Sequence, residues 1–116
     1  MKIISLTIPH KKQRYNTCGD WYEKKGWQIR VSKMKDWRYN VLVAFHELIE
    51  MTLCKYRHVS EKKVTDFDIK FEGDDPGRDK NAPYHNEHMF AEKLEKQLAK
   101  ELGVDWDKYD KTVCEL

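Results

Sequence analysis

His46, Glu47 and Glu50 lie inside Val41–Met51, the most apolar run of a sequence that is 36% charged. Burying ionisable groups in such a run costs roughly several kcal/mol each unless they pair or hold a metal ion. His46 and Glu50 stand four residues apart, so on a helix they project from one face, one turn apart. An imidazole and a carboxylate at that spacing can grip one divalent ion. Glu47, beside the first of them, can then take a proton from water polarised by that ion.

A second polar cluster, His85, Glu87 and His88, opens a later amphipathic stretch. Catalytic zinc commonly takes three protein ligands and leaves a fourth place for water; two histidines and a glutamate are one known set. His46, Glu50 and His88 compose that set, with His85 or Glu87 as the other candidates for third ligand. His85 and His88 together would make four protein ligands and a structural site. The expected cofactor is zinc (Zn2+). Another divalent metal is the alternative, because two histidines and a carboxylate also form the facial triad of non-haem iron. The bland alternative is an i,i+4 hydrogen-bonded pair of His46 and Glu50 at a helix rim, with Arg57 nearby.

Periodicity and punctuation give the elements that must position these groups. Residues 2–8 alternate, with Ile4, Leu6 and Ile8 on one face, and Pro9 closes the strand. Residues 20–23 and 27–32 read as a hairpin around Lys24-Lys25-Gly26, with Trp27, Ile29 and Val31 sharing a face. Asp36 caps a helix from near Trp37 to about Arg57. At roughly 100° per residue, Val41, Leu42, Phe45, Leu48, Ile49, Thr52, Leu53 and Tyr56 form one broad face. His46 and Glu50 fall on its rim, with Glu47 slightly farther round. Val43, Ala44, Met51 and Cys54 keep the other side apolar too, as expected of a helix central to its domain.

A short helix from Ser60 to about Glu72 and a loop over residues 73–81, rich in Gly, Pro and Asp, follow. The next helix runs from Tyr84 to about Leu102 and stops at Gly103. Its expected buried face is Phe90, Ala91, Leu94, Leu98 and Leu102, with Glu87 in that face and His88 at its rim. Asp105 caps a last short helix. The fold class expected is α+β in a single domain, 1–116: a small N-terminal antiparallel sheet of two to three strands, a central motif helix and two or three further helices.

Composition excludes several classes. The 22 basic and 20 acidic residues leave a net charge of +2, which makes no electrostatic case for nucleic acid or an anionic membrane. No apolar run approaches the length of a membrane span, and the N-terminal Met1-Lys2-Ile3-Ile4-Ser5-Leu6 lacks a long apolar core and is expected as a strand, not a signal peptide. Cys18, Cys54 and Cys114 are odd in number and widely spaced. They are expected as free thiols in a reducing cytoplasm, with neither disulfides nor a zinc-finger pattern. His10 and His58 are expected at the surface, and the four tryptophans as core anchors.

His46-Glu47-Leu48-Ile49-Glu50 resembles the zincin metallopeptidase motif HExxH, with glutamate at the second ligand position. The order of elements is similar to that of the zincin fold. The resemblance implies His46 as first ligand, Glu47 as catalytic base, a third ligand from Tyr84–Glu92, and a peptide or protein as substrate. It covers five residues, and Glu50 departs from the family's pattern. The whole chain also resembles small phage and bacterial proteins, a likeness that brings no activity with it. Glu47-x-x-Glu50 with Glu92-x-x-Glu95 resembles the magnesium-binding helix pairs of all-α NTP pyrophosphatases of the MazG type, against which the strands and histidines argue. A third class is a non-enzymatic interaction protein with a structural or remnant metal site. The oligomeric state has no signature in the sequence.

Overall fold

Three strands and four helices follow one another as β1 (Ile3–Ile8), β2 (Gly19–Glu23), β3 (Trp27–Ser32), α1 (Trp37–Tyr56), α2 (Glu61–Lys70), α3 (His85–Glu101) and α4 (Trp106–Cys114). They come from a computed structural model that describes residues Met1–Leu116. The architecture is the expected α+β one, an N-terminal three-stranded sheet followed by helices.

The sheet order is β1-β3-β2. β2 and β3 form the expected antiparallel hairpin, with Trp21 opposite Ile29 and Gly19 opposite Val31. Lys25 (φ 54°) and Gly26 (φ 113°) supply the left-handed turn between them. β1, in contrast, runs parallel to β3, so the sheet is mixed where a wholly antiparallel one was expected. Residues 9–18 carry the chain from one edge of the sheet to the other. The middle place is thereby left for β3, which returns in the direction of β1. As an edge strand β1 is poorly covered, and Leu6 is 48% exposed although its alternation is correct.

Gly19, Trp21, Ile29 and Val31 form the sheet face that receives α1. The opposite face is fastened by polar groups of the crossing loop. Arg14 grips the buried Asp20 carboxylate through Nε (2.7 Å) and Nη2 (2.9 Å). The His10 ring bridges Ser32 Oγ (2.8 Å) and Asn16 Oδ1 (3.0 Å), so His10 is a fastening residue and His58 alone is the free surface histidine.

The Asp36 side chain accepts from Arg38 N and starts α1 as expected. The buried side of α1 is different from the expected one. Leu42, Val43, His46, Glu50, Met51 and Cys54 are buried, whereas Val41 and Tyr56 are exposed. A helix apolar on nearly every side has no preferred phase, so the groups that find specific partners decide which side turns inward. α3 shows the same rotation. Glu87, Ala91, Glu92, Glu95 and Ala99 are buried, and Phe90 is exposed. Ala91 and Ala99 permit close approach to α1, so the polar stripes of the two helices face each other. α4 brings Tyr109 beneath them, edge-on to Tyr39 and Trp106. Trp21 is a core residue, but Trp37 is exposed. The three cysteines are free, and no helix is long and apolar enough to cross a membrane.

Candidate metal centre

α1 presents His46 and Glu50 from successive turns, and the first turn of α3 presents His88. Their donor atoms converge. His46 Nε2 lies 3.1 Å from Glu50 Oε2 and 3.1 Å from His88 Nδ1, and His88 Nδ1 lies 2.9 Å from Glu50 Oε2. Ligands held tetrahedrally at zinc–nitrogen and zinc–oxygen lengths stand ~3.3 Å apart. The triangle is therefore close to the size a zinc ion would impose, and its donor set of two imidazoles and a carboxylate suits that ion.

Each of the three residues is also held from behind. His46 Nδ1 lies 2.7 Å from Glu95 Oε1, and Tyr109 OH donates to the other oxygen of Glu95. Trp21 Nε1 donates to Glu50 Oε1 at 2.9 Å. His88 Nε2 lies 3.1 Å from Asp75 Oδ1, an ion-pair distance without hydrogen-bond alignment. This carboxylate–imidazole arrangement fixes the tautomer of a metal-binding histidine and raises its basicity. With Nδ1–H of His46 directed at Glu95, the Nε2 lone pair points into the triangle.

Lone pairs meeting at such distances need positive charge between them. Two protons on the imidazoles or one divalent ion supply the same charge. Burial favours neutral His46, but Glu50 and Glu95 overcome it and hold its pKa well above the usual value. His88 is likewise pushed up to about 9, Asp75 and Glu50 outweighing its burial. Burial raises Glu50, but its bonds to both histidines bring it down to about 2, so it stays ionised.

Glu47 points elsewhere. Its side chain lies over the Cα of Gly19, where an added Cβ would stand 2.7 Å from Glu47 Oε1. It makes none of the ion pairs that hold Glu50 and Glu95. Burial and the neighbouring charge of Glu50 push its pKa well above the ordinary carboxylate range. Glu47, His46, Glu50 and His88 all line one cavity of about 500 Å³. Asp68 lies in its wall between Tyr15 OH and Tyr84 OH; burial pushes it up to about 7.

Of the six candidates, His46, Glu50 and His88 are brought together, and Glu47 faces the same cavity. Glu87 is buried in an ion pair with Arg57 at 2.8 Å, which also takes Arg57 away from His46 and Glu50. The His85 ring turns to the carbonyl of Gly77, 2.9 Å from Nδ1. That bond fixes the loop whose Gly77 lies flat against His88: a Cβ there would stand 2.3 Å from the ring.

Glu95, Trp21, Asp75, Arg78 and Tyr109 were not expected at the centre. Glu95 alone left a signal, since His88, Glu92 and Glu95 recur at i, i+4 and i+7 on one face of α3. Asp75, His88 and Glu92 also place ligand atoms within 4.8 Å of one another. There the Arg78 guanidinium is already the cation, with Nε 2.7 Å from Glu92 and 2.9 Å from Asp75.

Compared with protein-family models, curated proteins and solved structures, the chain matches none. The chemistry of the centre is therefore what speaks for its role.

Proposed function

We propose that this protein binds one divalent metal, zinc first, through His46, Glu50 and His88, and acts as a zincin-like hydrolase on peptide bonds. The convergence of three donor atoms at 2.9–3.1 Å carries the reading, together with the outer partners behind each. Bound there, the ion would supply a Lewis acid and water acidified towards a pKa of about 7. Glu50 and the two imidazoles hold the site, Glu95 and Trp21 keep two of them oriented, and the cavity admits a substrate. Glu47 is the group without an internal partner, and it receives the proton of the attacking water. The three free thiols accord with a reducing compartment such as the cytoplasm.

The nucleotide pyrophosphatase alternative is weaker in this geometry. Its second carboxylate pair is already engaged, Glu92 by Arg78 and Glu95 by His46 and Tyr109. A non-enzymatic metal protein would share the triad but has no use for an unpaired Glu47 in the cavity.

Metal analysis of the purified protein tests the reading directly. Wild type is expected to carry about one zinc per chain, and His46→Ala to lose it. Glu47→Gln is expected to keep the metal and lose peptide hydrolysis. Metal-free wild type, or unchanged metal content in His46→Ala, would overturn the proposal.

A further inference from the structure

The chain is almost neutral overall, but its cavity is not. Nine of the 20 acidic residues line it, against Arg78 alone of the 22 lysines and arginines. Arg78 is engaged by Asp75, Glu92 and Asp110 and offers no free positive charge to a ligand. Asp20 is neutralised from outside the cavity by Arg14. Against nine carboxylates, the two arginines and a divalent ion supply four positive charges and leave five negative ones in excess. A proton on Asp68, which burial pushes up to about 7, would still leave four. A concave, low-dielectric site of one sign focuses its field on whatever enters. Asp74, exposed at the rim, extends that field to the mouth. Phe71 and Trp106 also line the cavity and offer apolar surface to an alkyl stem; Lys96 Nζ already sits 5.3 Å from the Trp106 ring centroid.

We propose that the cavity selects cationic substrates, drawing in a chain that bears a primary amine or guanidinium and repelling one that bears carboxylate or phosphate. The shared chemistry is that of a lysine or arginine side chain of a peptide and of a free polyamine. Its use in hydrolysis rests on the metal reading above, whereas the charge selection needs only the cavity.

The test uses three dansyl-labelled octapeptides that differ in one central residue, Lys, Gln or Glu. Their binding to the Glu47→Gln protein loaded with zinc is followed by fluorescence anisotropy, so that turnover does not interfere. The Lys peptide is expected to bind at least ~10-fold more tightly than the Glu peptide, with Gln between, and the preference to shrink in 0.5 M salt. Asp74→Lys should weaken the Lys peptide by roughly threefold with zinc content unchanged, as expected for reversing one screened charge several ångströms away. Spermidine that displaces the Lys peptide at equal concentration assigns the cation to a polyamine; displacement only by unlabelled Lys peptide assigns it to a peptide. Equal affinities for the three peptides, tighter binding of the Glu peptide, or no binding of peptide or spermidine would overturn the proposal. Zinc present with no charge preference sinks the charge selection alone. A Lys preference in wild type that holds no zinc sinks the hydrolase reading alone.

Discussion

Replacing Glu95 by Gln and by Ala separates the charge of His46's partner from its shape. Glu95 Oε1 lies 2.7 Å from His46 Nδ1, and its second oxygen accepts from Tyr109. Gln has the same outline. Its carbonyl oxygen still accepts from His46 Nδ1–H, and its amide can donate to the Tyr109 oxygen. Only the negative charge disappears, and with it the added basicity of the imidazole. Loss of an outer partner lowers metal affinity roughly 10- to 100-fold. The charge-only change belongs at the lower end, ~10-fold or about 1.4 kcal/mol. Ala removes the acceptor for both a buried imidazole N–H and a buried hydroxyl. It should reach the upper end, ~100-fold or about 2.7 kcal/mol, and also destabilise the metal-free fold by roughly 1–3 kcal/mol for each orphaned group. Zinc affinity is measured by competition with a chromophoric chelator, and stability by urea unfolding of the metal-free protein. If both variants hold zinc within twofold of wild type, Glu95 does not support a ligand, and the triad is not where the metal sits.

The pH dependence follows from His88, raised from 6.5 to about 9. Zinc must displace its proton, so affinity should fall as pH drops below about 9, with protons released on binding; calorimetry in buffers of different ionisation heat counts them, and none released at pH 7 would contradict the assignment. In the metal-free protein the same raised pKa stabilises the fold fully below about 6.5, and that contribution is lost as pH rises through about 9. Thermal melts of chelated protein should therefore fall across that window, and those of zinc-loaded protein should not. Gly77→Ala places a methyl 2.3 Å from the His88 ring and must displace it. Zinc should be lost, with about 1–3 kcal/mol of stability, and a variant that retains stoichiometric metal would show the contact to be unimportant.

Element order and helix caps were legible because they depend on local chemistry. Asp36 and Asp105 cap the helices they were expected to cap, and Ser60, where a short helix was expected to begin, caps it. Helix phase was not legible in α1 or α3. The largest apolar side chains pointed to Phe90, Leu94 and Val41, but burial went to small residues and to carboxylates with partners. Hydropathy scores Glu95 as a solvent residue, because it cannot see the imidazole 49 positions earlier that accepts its company. The triad was readable, since His46 and Glu50 are fixed by helical spacing and only a few residues could face them. Which of His85, Glu87 and His88 faces His46 and Glu50 depended on geometry: the carbonyl of Gly77 engages His85, Arg57 engages Glu87, and His88 turns inward. The direction of β1 was hidden because alternation reports which side a residue faces and nothing about which way its neighbour runs.

The three donors are unequally anchored. His46 and Glu50 belong to the helix that covers the sheet, and moving them means taking the core apart. His88 stands in the first turn of α3, against a loop held chiefly by Arg78 and the His85–Gly77 bond. A bound ion would therefore exchange through one door. Its dissociation rate would follow the lifting of residues 73–84 rather than global unfolding, and Arg78, whose bonds go to Asp75, Glu92 and Asp110, would set how long the ion stays.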